Sequence, residues 1–169
     1  MNRYVTLEDY NGFYSDSIGE QDFNRLSFHA SKKADALTTG VDGVKKLRVA
    51  FPTDEDDVET VKASICGVIH LMHEIESLED SIARGQGYIT REDGTLVGKT
   101  IASVSSGSES ISYSASASGQ TRASALVTDV ESREREYKTI LEEGFRGVND
   151  ANGVHLMYMG FYPVDIEVD

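Results

Sequence analysis

Val58-Glu59-Thr60-Val61-Lys62-Ala63-Ser64-Ile65-Cys66-Gly67-Val68-Ile69-His70-Leu71-Met72-His73-Glu74-Ile75 is the stretch whose reading decides the fold. Its apolar residues Val58, Val61, Ile65, Val68, Ile69, Met72 and Ile75 recur at helical steps, so one apolar stripe runs down one face. Thr53-Asp54-Glu55-Asp56 supplies the N-terminal cap, and its acids suit the positive end of the helix dipole. The expected helix covers about 54–82 and forms the core. Ala63, Cys66 and Gly67 are small enough to let neighbouring elements come close.

Two helices are expected upstream. Phe23, Leu26, Ala30, Ala34 and Leu37 form a second apolar stripe, predicting a helix over about 20–39 with Gly40 as its stop. Thr6-Leu7-Glu8-Asp9 is a near capping box with Asp in place of Glu, opening a short helix over about 6–14. Downstream, Thr128-Asp129-Val130-Glu131 reads as a capping box. It opens a charged helix over about 129–147, with Val130, Tyr137, Ile140 and Leu141 at helical spacing and an end in the Gly144 to Gly153 region.

Between these helices the period changes. Tyr88-Ile89-Thr90 and Thr95-Leu96-Val97 flank Asp93-Gly94, a hairpin signal. From Ser103 to Ser118 nine of sixteen residues are serine, and from Ser110 onward serine alternates with Ile111, Tyr113, Ala115 and Ala117. Period two means an extended segment, and this one is too long and too weakly apolar for a core strand. Hairpin and arm together span about 86–118. In the tail, about 154–169, Val164-Asp165-Ile166-Glu167-Val168-Asp169 alternates apolar and acidic residues, as an edge strand in need of a partner does. The expected fold is mainly α: a small helical bundle with an inserted β-hairpin, an extended serine-rich arm and an extended C-terminal tail. All of it belongs to one domain over residues 1–169.

Composition narrows the functions. At 169 residues, two full cores would be cramped. Asp and Glu number 29 against 16 Lys and Arg, giving a formal charge of −13. A chain this acidic lacks the Lys and Arg that grip phosphates by releasing counterions. One cysteine, Cys66, leaves no partner for a disulfide and excludes a cysteine-based zinc site. The N-terminus lacks the blocks of a signal peptide, and no apolar run approaches a membrane span, so a protein assembled in the cytoplasm is expected.

No catalytic motif in the sequence is complete. Gly94-Thr95-Leu96-Val97-Gly98-Lys99-Thr100 has three residues between its glycines where a P-loop needs four, and an extended segment follows where a helix is needed. His70 and His73 with Glu74 have metal-compatible spacing, but the third ligand would be the distant His29 or His155. Gly107-Ser108-Glu109-Ser110 is not a nucleophile elbow. No enzyme activity, cofactor or metal is expected.

In order and spacing the pieces resemble the head–tail connector (adaptor) proteins of long-tailed bacteriophages. The resemblance runs from about Tyr4 to Gly160. It is carried by Phe23-Asn24-Arg25-Leu26, by Ala34-Asp35-Ala36-Leu37-Thr38, and by Val61 to Ile69 of the core helix. The most telling element is Val104-Ser105-Ser106-Gly107-Ser108-Glu109-Ser110-Ile111-Ser112-Tyr113, similar to a serine-rich stretch of that family. Gly153-Val154-His155-Leu156-Met157-Tyr158-Met159-Gly160 resembles its closing motif. The hairpin within Gln86 to Lys99 and the long acidic tail depart from the family pattern.

The resemblance implies a structural virion protein in the neck, forming a ring of about twelve subunits beneath the portal and extending the DNA channel. Implied partners are itself, the portal protein, a tail-proximal stopper or tail-completion protein, and DNA that passes without tight binding; no membrane is involved. Expected contacts with a neighbour or the portal are Ser105, Ser106, Ser108, Ser110, Ile111, Tyr113, Leu156, Tyr158 and Phe161. Asp54, Glu55, Asp56 and Asp57 are the candidate acidic lining, which would repel phosphates within a Debye length of about 8–10 Å. A head-completion or tail-terminator component, and an acidic inhibitor that mimics DNA charge, remain open alternatives.

Overall fold

The computed structural model describes residues 4–83, 88–90, 96–105, 110–115, 126–127 and 129–163. Among the described residues it is mainly helical, with five helices: α1 (Leu7–Phe13), α2 (Glu20–Leu37), α3 (Lys46–Val49), α4 (Glu55–Ala83) and α5 (Val130–Phe145). The chain divides into two compact units, one of Met1–Met72 with Arg135–Asp169 and one of His73–Glu134.

The first unit holds the main core. The α2 stripe is buried at Phe23, Leu26, Ala30 and Ala34, and α4 contributes Val61, Ile65, Val68 and Ile69. Tyr10 of α1, Leu47 of α3, Leu141 and Phe145 of α5, and Leu156 beyond it complete the core. Fully burying one such side chain contributes roughly 1.5–3 kcal/mol. Where α4 crosses α5, small residues face each other. A Cβ built on Gly144 would lie 1.7 Å from Ser64 Oγ and 2.7 Å from Ser64 Cβ. One on Gly67 would meet Ile140 at 3.3 Å and the Tyr14 hydroxyl at 3.5 Å.

The helix starts follow local chemistry. Thr6 and Asp9 form a reciprocal capping box, with Asp9 N–H donating to Thr6 Oγ1 and Thr6 N–H to Asp9 Oδ2. Asp54 caps α4 by accepting from the N–H groups of Asp56 and Asp57. Asp129, one residue later than the sequence signal at Thr128, does the same for Glu131 and Ser132 at the start of α5.

Several expectations are corrected. Val130 is 64% exposed because it is the first residue after its cap, before α5 reaches the core; Phe145, at the other end, is buried. The end of α5 at Phe145 falls inside the expected Gly144 to Gly153 region. Gly40 is not the stop of α2: the helix ends at Leu37 and Thr38 closes it, donating its N–H and hydroxyl to the Ala34 carbonyl. The small α3 has no sequence signal, since Lys46-Leu47-Arg48-Val49 carries no cap or period. Residues 154–163 are not extended strand; they form turns after a single bridge between Asn149 and His155.

In the second unit Ile75 and Leu126 are buried. Arg133 pairs with Glu79 at 3.0 Å and donates to the Val127 carbonyl at 2.6 Å. Backbone pairing is antiparallel between Tyr88–Thr90 (β1) and Leu96–Ser105 (β2), with Tyr88 opposite Gly98. It continues between β2 and Ser110–Ala115 (β3), with Ser105 opposite Ser110.

Candidate functional site

The most developed surface feature of the first unit is built from the 38–46 loop and residues 148–163. Gly153, at φ +75°, closes a turn in which Asp150 N–H donates to the Val154 carbonyl at 2.9 Å. That turn buries the Asp150 carboxylate. Its Oδ1 accepts from the N–H groups of Asn152 (2.9 Å) and Val154 (2.8 Å), and its Oδ2 from the Tyr162 hydroxyl (2.5 Å). Burial, and next the bond to Asp150, raise the Tyr162 hydroxyl above its ordinary titration range. His155 sits between the N–H groups of Gly147 and Met157, 3.0 Å from each.

The facing loop locks onto this segment. Val41 N–H donates to the Met159 carbonyl at 3.1 Å, and Tyr162 N–H to Asp42 Oδ2 at 2.6 Å. Gly40 is required here for closeness, because a Cβ on it would lie 2.7 Å from the Gly160 carbonyl oxygen. Under the loop Lys46 is 1% exposed and donates from Nζ to the Thr38 carbonyl at 2.9 Å. Burial lowers its pKa, and Asp42 and Asp150 partly offset that.

On this scaffold four large apolar side chains point to solvent: Val41 (70% exposed), Tyr158, Met159 and Phe161 (74%). Of the expected contacts, Tyr158 and Phe161 therefore stand on the surface. Leu156 is completely buried, so its apolar area is used in this chain's own core. Ser105 lies in β2, and Ser110, Ile111 and Tyr113 in β3. Ser106, Ser108 and the tail 164–169 lie outside the described residues. Among the acidic candidates, Asp54, Glu55 and Asp56 are exposed. Asp54 is also the α4 cap, and Asp57 accepts from Asn149 N–H at 3.3 Å.

Three further clusters bring polar side chains together. A shallow cleft of about 310 Å³ is lined by Asp9, Phe13, Thr53, Glu55, Val58, Glu59 and Lys62, with Lys62 paired to Asp9 at 2.8 Å. Burial pushes the Asp9 carboxyl up, but the hydrogen bonds from Lys62 and Thr6 together outweigh it and hold the group below its ordinary range. Asp35, buried in α2, accepts from the Tyr4 hydroxyl (2.5 Å) and from Arg48 Nε (2.7 Å), tying the N-terminal segment and α3 to α2. His70 stacks on Tyr14 at 4.1 Å between centroids and lies 3.3 Å from Asp16 Oδ2 and 3.2 Å from the Tyr10 hydroxyl. It is engaged in the fold and is not grouped with His73 and Glu74. Among the described residues no three His, Cys, Asp or Glu side chains are grouped to hold a metal ion. No helix among them is long and apolar enough to cross a membrane. Cys66 is fully buried, and burial pushes its thiol up to about 12, far from nucleophilic at neutral pH.

Sequence reasoning missed the Asp42–Tyr162 and Asp150–Tyr162 bonds. Asp42-Gly43 and Asp150-Ala151-Asn152-Gly153 are readable turn signals, but nothing in the sequence says that the two turns meet. Comparison with protein-family models, with characterised proteins and with solved structures finds no match for this chain.

The Asp42 bond makes one pH prediction. Accepting from the Tyr162 N–H, and next from the Val44 N–H, lowers the Asp42 pKa below its ordinary 3.8. A lowered carboxylate contributes stability that is complete above its unfolded value and lost as pH falls through the folded one. Acid unfolding of the wild type below pH 3.8 should therefore be steeper than that of Asp42→Asn, measured by circular dichroism. Identical acid slopes would contradict this role.

Proposed function

We propose that this protein is a head–tail connector of a long-tailed bacteriophage, a structural component of the virion neck with no catalytic activity. It forms a ring of about twelve subunits by a heterologous contact that closes on rotation. The ring extends the DNA channel below the portal and meets a stopper or tail-completion protein on its other side. The observation that carries this reading is that Val41, Tyr158, Met159 and Phe161 stay exposed on two segments joined by the Val41–Met159 backbone bond, which leaves apolar area available to a neighbour.

Other features agree with it. The serine-rich segment between α4 and α5 acts in this reading as an arm between subunits or against the portal, continuing from the hairpin. A formal charge of −13 lets DNA slide past without being held. The mainly helical character of the described residues favours a connector over a tail terminator, a class richer in strand. Electron microscopy of the chain mixed with a portal ring provides the test. Added density coaxial with one end of the portal is expected, and portals that stay bare at saturating chain would overturn the reading.

A further inference from the structure

Two Asn-Gly pairs occur in the chain, and the fold holds them differently. Asn11-Gly12 lies inside α1, whereas Asn152-Gly153 lies in the exposed turn that buries the Asp150 carboxylate. We propose that Asn152 is a deamidation site held shut by Tyr162, and that its conversion releases Tyr162 from Asp150 and loosens the segment beyond. This inference does not depend on the connector reading.

Deamidation is an internal substitution. The Gly153 backbone nitrogen attacks the side-chain carbonyl carbon of Asn152 and gives up its proton. The new C–N bond closes a succinimide ring, the C–N bond of the side-chain amide breaks, and ammonia leaves. Water then opens the ring at either carbonyl, leaving aspartate or isoaspartate at position 152. Nothing is oxidised or reduced, and the water is solvent, which reaches Asn152 and Gly153 because both are exposed. A following glycine favours the attack, since it has no Cβ to crowd the nitrogen and its backbone turns freely.

In the folded turn three bonds oppose the reaction. Gly153 N–H donates to the Asp150 carbonyl at 2.9 Å, so the attacking nitrogen is committed. Asn152 N–H donates to Asp150 Oδ1 at 2.9 Å and fixes that residue's own backbone. The side chain is tethered too, with Asn152 Nδ2 lying 3.0 Å from the Tyr162 hydroxyl. That hydroxyl has one proton and gives it to Asp150 Oδ2, so towards Asn152 it only accepts. The group held against Tyr162 is therefore the NH2 that must leave. At the other pair the Gly12 N–H belongs to the helical ladder of α1.

Conversion replaces this donor by a carboxylate, which only accepts. A single hydroxyl proton then faces two carboxylates, the new one and Asp150, and their like charges repel. Isoaspartate also adds a main-chain carbon between Asp150 and Gly153, which moves the Gly153 N–H off the Asp150 carbonyl. Either product undoes the bonds that tie Tyr162 to the turn, and with them the hold on Tyr158, Met159 and Phe161. Because ammonia is lost to solvent, the change runs one way.

Peptide mass spectrometry tests the gate on the full chain, incubated folded and in urea, with Asn11 as the second site. Asn152 is expected to convert more slowly in the folded chain than in urea. Tyr162→Phe removes the hydroxyl and should speed conversion in the folded chain about two- to tenfold, the worth of one net hydrogen bond. Conversion at Asn11 should stay unchanged, which shows that α1 is still folded. Hydrogen exchange tests the release independently. Asn152→Asp introduces one product directly, and Asn152→Ala removes the same bond without adding charge. The Val41 and Tyr162 amides, which donate to Met159 and Asp42, should exchange faster in the first variant than in the second. Equal conversion of Asn152 folded and in urea, or in wild type and Tyr162→Phe, would overturn the gate. Equal exchange in the two Asn152 variants would overturn the release.

Discussion

Replacing Gly144 by alanine is expected to destabilise the protein by about 1–3 kcal/mol, the usual cost of forcing extra volume into a packed contact. The sign is the informative part. In a helix interior alanine is better than glycine by about 1 kcal/mol, so without the contact the change would stabilise α5. The new methyl would lie 1.7 Å from Ser64 Oγ and 2.7 Å from Ser64 Cβ. Rotating the serine hydroxyl removes only the first clash, because Cβ is fixed to the α4 backbone, so the helices must separate. Ser64→Gly should then restore most of the loss in the double variant, despite the helix cost of a second glycine. Chemical unfolding of the four proteins in this cycle reads the coupling directly. A Gly144→Ala protein as stable as the wild type, or additive single effects, would show that α4 and α5 do not meet at this point.

The second large effect is expected at Asp150. Its carboxylate is buried and accepts from Asn152, Val154 and Tyr162. Bonds to a charged acceptor contribute about 1.5–3 kcal/mol each, and removing the acceptor strands the buried Val154 N–H. Asp150→Ala should therefore cost about 2–4 kcal/mol, discounting the more exposed partners. Because Tyr162 loses its anchor, amide exchange at residues 158–162 should accelerate far more than exchange in the middle of α4. Self-association should weaken with it, since Tyr158, Met159 and Phe161 would no longer be held in place. A loss below about 1 kcal/mol with unchanged exchange would mean that this node does not hold the C-terminal segment.

What was readable in the sequence was local. The stripe from Val61 to Ile75 and the stripe from Phe23 to Ala34 became the buried faces of α4 and α2 because a helical period survives folding unchanged. The Thr6–Asp9 box was equally plain, since both partners lie within one turn. What escaped depended on pairs distant in the chain. Ser64 with Gly144, Gly40 with Gly160 and Asp42 with Tyr162 give no periodic signal, so Gly40 read as a helix stop when it marks a close approach, and nothing marked the contact at Gly144. Lys46 escaped for a related reason: a lysine is expected in water, and only the folded loop supplies the Thr38 carbonyl that lets it be buried. In the C-terminal segment Tyr158, Phe161 and Leu156 read alike as apolar candidates, yet the first two are exposed and Leu156 is buried. Sequence does not say which residues of such a tail face inward.

The central claim is that copies of this chain close into a ring, and the most direct measurement is the mass of the purified full chain. Light scattering after size exclusion, over a wide range of concentration and at low and high salt, should give one assembly of about twelve subunits, favoured by salt. A monomer, or a dimer that grows no further, at every concentration and salt would contradict it.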